Sequence, residues 1–131
     1  MIDFHLDAHS GVSAYMQIVH QVQRAVRCGL LTPGDRLPAA REVVAALAIN
    51  PNTVLKAYTE LERGGWVASR AGVGTFVAET APRGVDADVH DRLERSLRNW
   101  LLEAAGAGLD HDAIEALVTL TLDATGRERV A

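Results

Sequence analysis

The run from Ala48 to Gly65 is the strictest constraint in the chain. Ile49-Asn50-Pro51-Asn52-Thr53 starts a helix at a defined residue. The Asn50 side-chain oxygen can accept a hydrogen bond from a free N–H of the first turn, and Pro51 suits a first helical position, which needs no donor. Gly64-Gly65 ends the segment, which confines the helix to about 51–63. Within it Val54, Ala57, Tyr58 and Leu61 recur at spacings of three and four and form one apolar stripe. The opposite side carries Asn52, Lys56, Thr59 and Arg63. Just upstream, Ala40, Val43, Val44 and Leu47 mark a shorter helix over about 40–47. Two short helices joined by so tight a turn make a helix-turn-helix. Downstream, Trp66-Val67-Ala68-Ser69-Arg70 and Thr75-Phe76-Val77-Ala78 read as two strands around Ala71-Gly72-Val73-Gly74, whose glycines permit a hairpin tip. Gly72-Val73-Gly74 is not a dinucleotide fingerprint, since no third glycine or helix follows at the required spacing.

The flanks complete this frame. Tyr15, Ile18, Val22 and Val26 predict a helix over about 13–28, with Gln17, Gln21 and Arg24 on its other side and Gly29 as its stop. Thr32-Pro33-Gly34-Asp35 reads as a turn, and Pro38 biases Arg36-Leu37 toward an extended conformation. Ala81-Pro82-Arg83-Gly84 reads as the centre of a linker over 80–85. Val89, Leu93, Leu97, Trp100, Leu101 and Ala104 then predict a helix over about 86–105, broken by Gly106-Ala107-Gly108. Asp110 can cap a last helix over about 111–124 with Ile114, Leu117, Val118 and Leu122, and the residues from Gly126 on read as a frayed tail.

The expected fold is mainly α with a small β-hairpin: a winged helix-turn-helix domain over 1–79, then a two-helix hairpin over 86–131. A pair of helices this small makes a poor core by itself. Its apolar sides need another surface, either their own winged-helix domain in cis or the same hairpin of a second chain. The second makes it a dimerisation element, with Leu93, Leu97, Trp100, Leu101, Leu117 and Val118 at the contact and Trp100 as its anchor.

Composition narrows the function classes. An apolar fraction of 48% excludes a disordered chain, while 5% aromatics means a core of Val, Leu, Ile and Ala. The net charge of −4 excludes a uniformly basic nucleic-acid binder. The charge is unevenly spread, however. Residues 81–131 carry six Lys/Arg and ten Asp/Glu, whereas residues 20–77 carry seven Lys/Arg and only four Asp/Glu. The lone Cys28 excludes an intrachain disulfide and a cysteine zinc site, and it reads as a small buried residue. No apolar run approaches a membrane span, and Met1–Ser10, with Asp3 and Asp7, lacks the pattern of a signal peptide. A reducing, cytoplasmic setting is expected. His5 and His9 have a helical ligand spacing in a segment without a helix pattern, so no metal site is expected. No constellation of nucleophile, base and acid emerges, and neither catalysis nor a cofactor is expected.

A winged helix-turn-helix places the first half of its second helix in the major groove, where side chains meet base edges, and its hairpin against the backbone or minor groove. At this level the blocks become specific. Leu37-Pro38-Ala39-Ala40-Arg41-Glu42, Ile49-Asn50-Pro51-Asn52-Thr53-Val54, Ala57-Tyr58-x-Glu60-Leu61-Glu62, Gly65-Trp66-Val67 and Gly72-x-Gly74-Thr75-Phe76-Val77 follow one another in order. Together they closely resemble the winged-helix domain of GntR-type bacterial transcription regulators, over about 12–78. The Asn-Pro-Asn-Thr-Val and Ala-Tyr-x-Glu-Leu-Glu blocks, with the short helical tail, look most like the YtrA-type subgroup.

The resemblance implies a cytoplasmic, homodimeric repressor on a palindromic double-stranded DNA operator, with membrane-transporter genes among its targets. It puts DNA contacts on Arg41, on Asn50, Asn52, Thr53 and Lys56, and on the wing at Arg70, Ala71, Gly72 and Gly74. Where many members have Ser before the first helix of the motif, this chain has Ala39, which costs a helix cap worth about 1 kcal/mol. The tail is too short for a large ligand-binding domain, so any small-molecule effector would need a small pocket or one between subunits. The competing reading is a winged-helix protein-interaction module or metal-responsive adaptor. The polar Asn52/Lys56 face favours DNA.

Overall fold

The computed structural model describes residues 2–130. Its elements run α1 (Ala14–Arg27), α2 (Ala40–Leu47), α3 (Pro51–Arg63), β1 (Val67–Arg70), β2 (Gly74–Val77), α4 (Ala87–Gly106) and α5 (His111–Val130). This is the mainly helical architecture with one small antiparallel sheet that the sequence predicts. The chain divides into two compact units that part between His90 and Asp91.

In the first unit the apolar stripes of α1 and α3 meet. Ile18, Val22 and Val26 from α1 and Val54, Ala57 and Leu61 from α3 are completely buried, and Leu37, Val67 and Val77 close the core from the extended segments. The hairpin pairs Val67 with Val77 and Arg70 with Gly74. Arg36-Leu37 is extended, as Pro38 demands, and it adds a third rung. Leu37 N–H donates to Thr75 O at 2.8 Å, and Val77 N–H donates to Asp35 O at 2.8 Å. The wing is thus tied to the segment ahead of α2.

Two junctions depend on backbone conformation. Gly29 follows the α1 cap at φ +79°, and the backbone of Gly84-Val85 crosses it so closely that a Cβ on Gly29 would run into the Val85 carbonyl. The end of the predicted linker is therefore pinned onto the end of α1. The turn of the helix-turn-helix is made by Ala48, which lies in the left-handed region at φ 54°, ψ 47°. Such a conformation costs an L residue roughly 1–2 kcal/mol, most of which glycine avoids. Ala48→Gly is expected to raise stability by up to about 1 kcal/mol, seen as a higher denaturation midpoint; a lower midpoint would contradict the strain.

The first unit also has an element that the sequence analysis left unassigned. Ile2, Phe4 and Leu6 pack partly buried against the core, alternating with exposed Asp3, His5 and Asp7. This extended segment pairs with side chains of α1 rather than with a strand. His5 N–H donates to Gln21 Oε1 at 3.0 Å, and Gln21 Nε2 donates to His5 O at 2.6 Å. Asp7 N–H donates to Gln17 Oε1 at 2.8 Å, while Gln17 Nε2 reaches the carbonyls of Asp7 and Val12. Each glutamine amide thus stands in for a strand's peptide group.

In the second unit, Gly106-Ala107-Gly108 ends α4, with Gly108 at φ +101°, and Asp110 caps α5 through a 2.8 Å bond from Ala113 N–H. α5 continues to Val130, so the expected fraying from Gly126 is corrected: the last turns keep helical hydrogen bonding, with Arg127 and Arg129 favourably placed at the negative end of the helix dipole. Ala104 is the one buried residue of α4, and α5 has none among its described residues.

Candidate nucleic-acid interface

α3 begins where Asn50-Pro51 requires. Asn50 Oδ1 accepts from Asn52 N–H at 2.8 Å, and Pro51 occupies the first turn. This cap commits the Asn50 oxygen and leaves its amide N–H2 as the group able to reach a phosphate. Asn52, Leu55, Lys56 and Thr59 are exposed along the helix, Thr53 is half-buried, and Val54, Ala57, Tyr58 and Leu61 are buried. The polar face predicted for Asn52, Lys56 and Thr59 is therefore free, and Leu55 joins it.

Lys56 is exposed, but its ammonium is not loose. It lies 4.0 Å from the centre of the Tyr15 ring on α1. A cation over an aromatic face gains about 0.5–1 kcal/mol at an exposed site, so Tyr15 holds this charge near the start of the recognition helix. Arg41 stands exposed in the first turn of α2, which begins at Ala39 without a side-chain cap, as the missing serine implies. Tyr58 ties α3 to the segment just ahead of α2, its hydroxyl donating to Pro38 O at 2.6 Å. Burial, with Glu42 nearby, raises the pKa of this phenol well above its ordinary range, so it stays a neutral donor.

On the wing, Gly72 sits at the tip with φ +74°, and Val73 N–H closes the turn onto Arg70 O at 3.0 Å. The tip, Ala71-Gly72-Val73, offers no side-chain donor. Charge comes from its flanks. The Arg70 guanidinium lies 4.7 Å from the Phe76 ring centre, and Arg36 Nε lies 3.0 Å from where a Cβ of Gly74 would stand. Arg36 is a residue the sequence analysis did not assign to the interface. The bridge between Arg36 and Phe76 brings it there, and the extended Arg36-Leu37-Pro38 segment is its sequence signal.

Among the described residues, Arg36, Arg41, Lys56 and Arg70 have no acidic partner within ion-pair distance, whereas Arg63 at the far end of α3 is bound to Glu60 at 2.6 Å. Cations of this kind can neutralise phosphates without first breaking an ion pair. Cys28 lies at the α1 cap and is exposed, which corrects the expectation that it is buried; the core side of that turn is filled by Ala25 and Val26 instead. In the second unit, Leu93, Leu97, Leu101, Leu117 and Val118 are all exposed, Trp100 is half-buried, and a groove runs between Leu97, Trp100, Leu117, Val118, Thr121 and Leu122. No helix among the described residues is long and apolar enough to cross a membrane.

Three helices with a hairpin behind them and an exposed polar recognition helix define the winged helix-turn-helix class of DNA-binding proteins. The chain belongs to the gntR family of bacterial regulatory proteins, whose family profile matches residues 14–77. It is 31% identical over 125 residues to the HTH-type transcriptional repressor YtrA of Bacillus subtilis, covering 95% of this chain and 96% of that one. Its fold resembles the transcriptional antiterminator from Listeria monocytogenes EGD-e, with a TM-score of 0.60, 28% identity and coverage of 92% of this chain and 90% of that one. It also resembles AraR(DBD) in complex with operator ORR3, with a TM-score of 0.50, 25% identity and coverage of 59% and 93%. The chain is therefore a DNA-binding transcription regulator of the GntR family, and its sequence is similar to YtrA.

Proposed function

We propose that this chain is a cytoplasmic homodimeric repressor that grips a palindromic operator with two copies of α3. The observation that carries the reading is the combination on one small fold of an exposed Asn52/Lys56 face with cations that have no acidic partner among the described residues. Asn52 and Thr53 meet base edges. Arg41, Lys56 and the Asn50 amide hold phosphates. Arg70, with the backbone N–H groups around Gly72 and Gly74, lies on the flanking backbone. Residues 1–79 form the DNA-binding part, 80–85 the linker and 86–131 the dimerisation tail. The twofold of the dimer then matches the twofold of the DNA, with half-sites about one helical turn or a multiple apart. Similarity to the YtrA repressor supports the negative sign of regulation, and the subgroup resemblance extends the proposal to operons for membrane transporters.

The test is a fluorescence anisotropy titration on DNA selected from a random duplex library. Wild-type affinity should fall steeply with salt. Lys56→Ala should weaken binding uniformly across sequences and reduce the slope of log affinity against log salt by about 0.9, the share of one phosphate. An unchanged slope would remove Lys56 from the phosphate contacts, and a flat wild-type salt response would sink the DNA reading itself.

A further inference from the structure

Leu55 is 53% exposed and is the one large hydrophobic side chain that α3 leaves in solvent. A single exposed leucine is ordinary on a protein surface. Its surroundings are not. It lies one helical turn after Asn52 and one turn before Thr59, in the first half of the helix. Thr59 donates its hydroxyl hydrogen to Leu55 O at 2.8 Å, inside the helix, so that hydrogen is not offered outward. The Lys56 ammonium lies over the Tyr15 ring, and the Asn50 oxygen, an acceptor, is taken up by the cap. The exposed face of α3 therefore sets one apolar side chain, Leu55, among the polar groups of Asn52, Lys56 and Thr59. In the major groove only thymine presents an apolar group, its 5-methyl; the other base edges present donors and acceptors that leucine cannot satisfy.

We propose that Leu55 is a specificity-determining residue that reads a thymine 5-methyl group in each half-site, beside the base that Asn52 contacts. This rests on the reading that α3 lies in the major groove. Leucine covers the methyl and excludes water from it, while a cytosine at that step would place an amino group against apolar surface and leave it without an acceptor. The residue thus selects by attraction to T and by rejection of C.

The test replaces thymines one at a time by deoxyuridine, which removes only the methyl, in duplexes selected by the wild-type protein. One thymine per half-site should lower wild-type affinity about fourfold when replaced, the effect of losing one buried methyl-sized group. The same replacement should leave Leu55→Ala unaffected. Because Leu55 is exposed, Leu55→Ala should unfold at the wild-type denaturant midpoint, and Leu55→Gln serves as a second variant of similar length with a polar end. Specific binding with a flat deoxyuridine scan, or equal losses in wild type and both variants, overturns the proposal. Failure of the wild type to bind any selected sequence would instead overturn the major-groove reading on which it rests.

Discussion

Leu117→Asp is expected to leave the chain monomeric and to lower its affinity for operator DNA by about 100-fold or more, because two linked half-site contacts become one. Two helices of twenty residues each bury only Ala104 among their described side chains. Leu93, Leu97, Leu101, Leu102, Leu117, Val118, Leu120 and Leu122 all remain at least one-third exposed. So much apolar surface on so small a unit is stable only when another surface covers it, and a twofold partner is the cover that suits the palindromic operator proposed above. Leu117 and Val118 border the groove with Leu97 and Trp100, so a carboxylate there would be buried without a counter-charge, at several kcal/mol. Sedimentation velocity reads the assembly and anisotropy reads the affinity. The winged domain should unfold as before, because Leu117 is not part of its core. A Leu117→Asp protein that remains dimeric with unaltered operator affinity would rule out this face as the dimer contact.

The second large effect concerns the glutamines of α1. The Gln17→Ala/Gln21→Ala variant removes five hydrogen bonds, four to the extended segment and one to Val12 O. At about 0.5–1 kcal/mol for each partly exposed bond, the loss is roughly 2–5 kcal/mol. It also weakens the hold on Ile2, Phe4 and Leu6, whose packing covers part of the core. Chemical denaturation should show the lower midpoint. Hydrogen exchange should show the local cause, with the amides of His5 and Asp7 losing protection before those of Val22 and Leu61. Equal protection of His5 and Asp7 in wild type and variant would mean that the glutamines do not hold the segment.

Much of the molecule was legible in its residues because the signals are local. Asn50-Pro51 and Gly64-Gly65 bound α3 to within a residue, since a cap and a missing donor act on the backbone next to them. The stripes at Ile18, Val22 and Val26 and at Val54, Ala57 and Leu61 are buried as their spacing requires. Asp110 caps the helix assigned to it. The alternation of Ile2, Phe4 and Leu6 was a readable signal that went unassigned, because its partner is a pair of amide side chains and no second strand marks it.

What the sequence by itself determined is therefore the order of the helices and strands, most of their limits and the family they belong to, and it offers the residues proposed for DNA. Those properties follow from neighbouring side chains and backbone angles. Tertiary structure decided which of the available groups are free. It set Lys56 over Tyr15, committed the Asn50 oxygen to a cap, brought Arg36 to the base of the wing and left Leu55 in solvent. Each of these depends on a residue distant in the chain or on how fully a neighbouring helix covers a face. Periodicity reports the direction of a side chain and not what stands opposite it.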